Sequence, residues 1–270
     1  GLSLHFVMVE RQKKRVQAAP KTAHGRYWRW FLVATRWAAI GAFGFITFSV
    51  VWIGLYRFIN PPTTYLMATT AWSGARVARR AVPIEAVAPV LWQTIIGAED
   101  SRFCSHLGID LEAVDEAREE AEDGGRVRGA STISQQTAKN AFLWPGRNYL
   151  RKGFEAYFTV LMEALWPKRR IMEIYLNIVE LGPGIFGAEA AAQHFFHRAA
   201  RDLSPHQAAL LAAVLPNPRL FHVERPSAYV LDRAGVLEAR AETVRNEGFA
   251  SCILGPQAKH GLARRKPRHH

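Results

Sequence analysis

Residues 129–140 read GASTISQQTAKN. Wound as a helix, this stretch places Ser131, Gln135 and Lys139 at i, i+4 and i+8, one above the other. Thr132, Gln136 and Asn140 form the adjacent stripe. Six polar side chains on one broad face offer hydroxyls, amides and one cation. Solvated helix faces usually mix Glu and Lys. This face has no acid and two adjacent glutamines, which suits a sugar or phosphate ligand better than bulk water. The segment therefore predicts a helix over 131–143 that carries function rather than only covering a core.

The same period continues on both sides. Downstream, 148–165 predicts a helix with Phe154, Phe158, Leu161 and Leu165 on one face, stopped by Pro167. Another follows over 168–180, with Ile171, Ile174, Tyr175 and Ile178 together. Gly182-Pro183-Gly184 marks a turn, and 187–197 predicts a helix. Ser204-Pro205 is a cap and first-turn proline that opens an Ala/Leu-rich helix ending at Pro216. A last helix fits 226–246. Upstream, 84–97 predicts an apolar helix and 111–123 an acidic one. No internal repeat and no convincing run of alternating strand residues is present, so the fold class is mainly α.

Three groups of ionisable residues stand out. Arg147, Arg151 and Glu155 share helical spacing, with Lys152 beside them. An Arg151–Glu155 ion pair is the plain reading. Three cations around one acid nevertheless leave excess positive charge, and guanidinium forks grip phosphate oxygens in pairs. Next, AEDSRFCSHLGID (98–110) follows the apolar run IEAVAPVLWQTII and begins with Glu99-Asp100. A carboxylate bordering apolar surroundings has its pKa pushed upward and is a candidate general acid or base. His106, beside a glycine turn, reads as structural. Two cysteines, Cys104 and Cys252, are too few for a disulfide scaffold or a four-cysteine zinc site. They either form one bridge or, more plainly, stay as two thiols.

From Trp37 to Tyr56 the chain reads WAAIGAFGFITFSVVWIGLY, twenty residues without a charge. As a helix they span about 30 Å, the thickness of a bilayer's hydrocarbon core. Residues 1–36 carry eight Lys/Arg against Glu10, and 257–270 carry five with no acid. The chain's net +12 is thus confined to its two ends. A nucleic-acid binder would carry its basic footprint on the folded part, so that class is set aside. The basic block before the apolar stretch places the N-terminus in the cytoplasm and the bulk of the chain outside the plasma membrane. There a substrate must bring its own leaving group. The expected organisation is a basic N-terminus (1–36), a transmembrane helix (37–56), a connector (57–82), a catalytic domain (83–246) and a basic, disordered tail (247–270). At 49% hydrophobic and 21% charged residues, the chain has the apolar content for a core and is not a wholly disordered one.

The Glu99 segment, the polar helix and the cationic helix, in this order along the chain, resemble the glycosyltransferase family 51 peptidoglycan polymerases. The resemblance continues through KRRIMEIYLN (168–177), ELGPGIFGAEAAAQHFF (180–196) and LSPHQAALLAAVLPNP (203–218). It covers about 83–246 plus the anchor and leans towards the proteobacterial type. No SxxK or KTG motif follows the last block, which fits the branch without a transpeptidase domain.

The resemblance implies a lysozyme-like helical domain, with a small membrane-facing part, that polymerises lipid II. Glu99 would take the proton from the GlcNAc 4-hydroxyl, and undecaprenyl pyrophosphate would leave with inversion. Lys139, Arg147, Arg151 and Lys152 would neutralise the pyrophosphate. Ser131 and Gln136 would position ligand. Glu155 is the implied second acid, which holds the basic cluster or orients pyrophosphate through Mg²⁺ or Mn²⁺; no covalent cofactor is implied. Implied partners are lipid II, the growing glycan chain, the inner membrane and cell-division or elongation proteins, with moenomycin as an inhibitor and cell shape as the wider role. The alternatives are a lysozyme-like glycan-cleaving enzyme and an inactive, anchored scaffold that binds lipid II. Cys104, Ser134 and Thr137 depart from the family's usual residues. A free Cys104 would make the enzyme sensitive to thiol reagents.

Overall fold

A computed structural model describes residues 23–122, 131–146 and 148–254. Helix α1 (Ala23–Tyr56) belongs to two compact units, one running to Val51 and the other starting at Trp52. Within Tyr27–Tyr56 the apolar window has mean hydropathy 2.0 and is only 11% buried within the protein. A core helix of a soluble protein would be mostly covered. Among the described residues of the first unit the one buried hydroxyl, Ser49, donates to the carbonyl of Phe45 one turn back, 2.8 Å away, so it needs no outside partner.

The second unit is helical, with one small sheet. Its elements are α2 (Tyr65–Trp72), β1 (Ala78–Arg79), α3 (Pro89–Glu99), α4 (Leu111–Glu122), α5 (Ile133–Phe142), α6 (Tyr149–Leu165), α7 (Lys168–Ile178), β2 (Glu180–Gly182), β3 (Ile185–Phe186), α8 (Ala188–Phe196), α9 (Pro205–Val214) and α10 (Ala228–Asn246). Short 3₁₀ turns lie at Ile84–Ala86 and Ala200–Asp202. Helix α3 starts later than its apolar pattern suggests. Ala88 precedes Pro89 and is held extended, as residues before proline are, so the helix opens at the proline. It then runs as far as Glu99, which puts that carboxylate on the last turn.

Two groups of helices position the site. In one, α3, α9 and α10 pack on one another; in the other, α5 packs on α6 and α7. Helix α9 is apolar on every side, and Ala208 to Val214 are all buried, as expected of a central helix. Its N-terminus is closed by a capping box between Ser204 and Gln207. Helix α10 buries Val230, Ala234, Leu237, Ala241 and Val244, a single stripe at helical spacing. The last turn of α1 enters this unit through an aromatic cluster. Trp52 meets Phe142 edge-on at 5.2 Å, Phe142 stacks on Phe158 at 5.0 Å, and the Trp166 indole N–H donates to the Ile53 carbonyl at 2.9 Å.

The structure differs from the sequence reading at three places. The stretch 57–82, expected as a connector, contains α2 and β1. Three short strands form a sheet in the order β1-β3-β2, with β1 parallel and β2 antiparallel to β3. Strands of two or three residues leave no alternation to detect. The turn at 182–184 is the β2–β3 hairpin, where Gly184 takes φ 74° and a Cβ would fall 2.2 Å from the Arg76 carbonyl oxygen. Finally, Cys104 and Cys252 are joined in a disulfide across 148 residues, so the plainer reading of two thiols is wrong, and so is a free, reagent-sensitive Cys104. The turn after α3 and the segment after α10 simply meet. The tail beyond 254 and Arg147 lie outside the described residues.

Candidate active site

Helix α5 is the spine of the site. Its N-cap is Thr132, which forms a capping box with Gln135. Gln135 is buried, and its Oε1 accepts from the Thr132 N–H at 3.0 Å. Ser131, Gln135 and Lys139 therefore do not form one continuous ligand stripe. Ser131 precedes the helix, and Gln135 closes it. The helix begins at Ile133, two residues later than that stripe requires, because the Thr132 hydroxyl accepts from the first turn.

Gln136 instead faces Glu99. Its Nε2 donates to Glu99 Oε2 at 2.8 Å, and its Oε1 accepts from the Tyr175 hydroxyl at 3.3 Å. Tyr175 is wholly buried. Burial first, and then the Glu99 charge, push its phenol well above the ordinary value, so it stays a donor. That fixes the amide: oxygen towards Tyr175, N–H towards the carboxylate. Glu99 Oε1 lies 4.0 Å from Nη2 of Arg233 on α10. The Glu99 side chain is 17% exposed. It opens on a cleft of about 170 Å³ that Ser131, Arg102, Glu116 and Arg240 also line. The structure thus brings Glu99, Gln136 and Ser131 together.

One turn further along α5 is Lys139. Burial lowers its pKa below the usual 10.5; Glu155 offsets this, Arg151 and Lys152 add to it, and Glu99 offsets it again. Lys139 therefore feels both acids and both neighbouring cations. Glu155 is 3% exposed. Its Oε2 takes a 2.7 Å contact from Arg151 Nη1, and its Oε1 a 2.5 Å contact from Lys152 Nζ. Asn148 caps α6 by accepting from the Arg151 N–H. The Arg151 Nε is buried without a hydrogen-bond partner, although buried donors normally have one. Among the described residues, three cations surround one acid here, so the cluster keeps an excess of positive charge. With both oxygens of Glu155 taken by cations, the residues at this point do not fit a divalent ion held by protein ligands.

His106 is structural, as expected. Its Nδ1 accepts from the Gly108 N–H at 3.0 Å, so its Nε2 carries the proton and donates to the Asp100 carboxylate at 2.9 Å. Asp100 also accepts from the Ile133 N–H at 3.0 Å, which links the end of α3 to the start of α5. The departures Ser134 and Thr137 are both buried. Ser134 donates to Glu163, which is also paired with Lys168, and Thr137 donates to the Ile133 carbonyl. Neither removes a group from the cleft. Sequence reading missed Arg233 and Arg240, because α10 carries many charges and no motif singles these two out.

A carboxylate held by an amide, open to a cleft, and joined through one helix to a cationic cluster suits proton abstraction coupled to departure of an anion. The family model described as transglycosylase matches residues 66–242.

This chain belongs to the transglycosylase family.

It is 57% identical over 202 residues to the biosynthetic peptidoglycan transglycosylase of Rhodospirillum centenum, which covers 74% of this chain and 87% of that one. It is 50% identical over 204 residues to the protein of the same name from Caulobacter vibrioides, covering 76% and 89%. In this transglycosylase the matched region reaches back into α2 and ends in α10. It therefore takes in both acids, Lys139, Arg151, Lys152 and Arg233, while Cys252 lies beyond it.

Proposed function

We propose that this transglycosylase polymerises lipid II into β-1,4-linked glycan strands, releasing undecaprenyl pyrophosphate with inversion at the anomeric carbon. The observation that carries this reading is α5 itself, which presents Gln136 to Glu99 and Lys139 to the Arg151–Lys152–Glu155 cluster. A glycan-cleaving enzyme needs two carboxylates and no such cations. A pyrophosphate leaving group needs them, because charge builds on it as the bond breaks.

Glu99 takes the proton from the 4-hydroxyl of the incoming GlcNAc. Gln136 holds Oε2, leaving Oε1 for that proton. The freed oxygen attacks C1 of the MurNAc at the reducing end of the growing chain, and the C1–oxygen bond to pyrophosphate breaks. Lys139, Arg151 and Lys152, with Arg147, stabilise the departing anion, and the unpartnered Arg151 Nε–H offers it a donor. Ser131, at the cleft wall, positions ligand. Glu155 acts by holding the cations in place; any Mg²⁺ or Mn²⁺ present would be carried mainly by phosphate oxygens.

The apolar part of α1 anchors the protein to the inner membrane, where its lipid substrate resides. Two features support a cytoplasmic N-terminus and an extracytoplasmic catalytic domain: the basic block before the span, and a disulfide, which persists in oxidising compartments. Cell-division or elongation proteins and moenomycin remain the partners and inhibitor that this reading implies. The test is purified full-length protein in detergent with fluorescent lipid II and Mg²⁺. A glycan ladder digestible by lysozyme is expected. No ladder, together with soluble fragments released from cell-wall sacculi, would overturn the reading in favour of glycan cleavage.

A further inference from the structure

The disulfide sits five residues after Glu99. Helix α3 ends at Glu99, and the chain turns through Asp100 and Phe103 to Cys104. The last turn of a helix has no following turn to hold it, and helix ends fray. Here that end carries the carboxylate whose direction matters most. Its other fastenings are Gln136 on Oε2, the Asp100 bonds to His106 and Ile133, and the wholly buried Phe103, which packs in the core just before Cys104.

The far end of the bridge is fixed. Cys252 lies between Ala250 and Ile253, both buried, and Arg169 Nη1 donates to the Ile253 carbonyl at 2.9 Å. The Cys252 N–H itself donates to Cys104 Sγ at 3.3 Å. This segment follows α10, which lies against α3 just before the catalytic end. A Cβ on Gly97 would meet Arg240 Cβ at 3.1 Å and Val244 Cγ2 at 3.4 Å, and Arg240 reaches the Gly97 carbonyl at 3.4 Å. Arg233 of the same helix approaches Glu99. Helix α10 thus runs beside the base-bearing end of α3, and the bridge closes the pair just past both helices.

We propose that the Cys104–Cys252 bond is a positioning device: it splints the turn after α3 to the anchored end of α10 and so holds the Glu99 carboxylate at its working angle. This inference rests on the reading of Glu99 as the base. A bond that merely added stability would change the melting temperature and leave turnover untouched well below it. A splint instead acts on kcat, because a shift of about 1 Å at a reacting group costs up to about a hundredfold in rate.

The experiment uses the full-length protein in detergent, oxidised or reduced with a water-soluble phosphine, at a temperature well below the melting point of the reduced form. The phosphine takes up oxygen from water, and the disulfide gains two electrons and two protons as two thiols. Turnover and KM are measured on fluorescent lipid II, alongside Cys104→Ser, Cys252→Ser and Glu99→Gln. Reduction should lower kcat about tenfold or more with KM changed by no more than about twofold. Reoxidation should restore it, and both serine variants should resemble the reduced protein and ignore the reductant. An unchanged kcat in the reduced protein overturns the splint. A fall in kcat matched by loss of lipid II binding and of near-UV circular dichroism also overturns it, leaving a plain staple. An active Glu99→Gln protein would instead sink the assignment of the base, whatever reduction does.

Discussion

Glu155→Gln tests whether the second acid works by holding cations. Glu155 is 3% exposed and Arg151 8%, and their 2.7 Å contact is shielded from water. Removing one member of a buried pair leaves the other charge uncompensated, which costs about 3–5 kcal/mol. Glutamine keeps a hydrogen bond to Arg151, so the lower figure applies. For a domain of this size 1 kcal/mol moves the melting temperature by about 2–4 °C, so Glu155→Gln should lower it by about 6–12 °C. Scanning calorimetry of the detergent-solubilised protein reads this directly. Adding Arg151→Met removes the stranded charge and should recover at least half of the loss, while activity stays low, because a cation of the pocket has gone. A melting temperature within about 2 °C of wild type for Glu155→Gln, with full activity regained on adding Mn²⁺, would refute the reasoning and make Glu155 a metal ligand.

Lys139 should show a trade between stability and function. Its folded pKa lies below 10.5 mainly through burial, so the charged form is disfavoured by folding, and stability rises as pH climbs through the window between the folded and unfolded values. Lys139→Met should therefore melt higher than wild type at pH 7, with the gain shrinking towards pH 10, and should lose activity; a lower melting temperature at pH 7 would contradict this. The kcat/KM of wild type on lipid II should fall on the alkaline side at a pH below 10.5, and Lys139→Arg should move that limb upward. Gly184→Ala, at φ 74° with a carbonyl oxygen 2.2 Å from the new carbon, should cost more than about 3 kcal/mol, measured as melting temperature or folded yield. Gly153→Ala, inside α6 with nothing within 4 Å, should stabilise by about 0.5–1 kcal/mol.

Much of the fold was legible because its helices carry their own punctuation. Ser204-Pro205 caps α9, Pro167 separates α6 from α7, and the α10 stripe keeps its period throughout. The candidate site was legible as residue types on α3, α5 and α6, but not as partners. Two adjacent glutamines look alike in sequence. Whether Gln135 caps and Gln136 reaches Glu99 depends on where the helix starts, and one residue of shift exchanges their roles. The sheet escaped because its strands are two or three residues long. The disulfide and Arg233 escaped for a common reason. Both join α3 to a part of the chain well over a hundred residues away, and neither local spacing nor periodicity carries information over that distance.

The central claim is that Glu99 is the base of a polymerising glycosyl transfer. The direct measurement is the product ladder from fluorescent lipid II with Glu99→Gln, beside its melting temperature and its binding of lipid II. The predicted result is no lysozyme-sensitive ladder, with binding retained and the melting temperature close to wild type, because the side chain keeps its shape and 17% exposure needs no charge to fill it. A ladder formed at an appreciable fraction of the wild-type rate would contradict the account and move the search for the base elsewhere in the cleft.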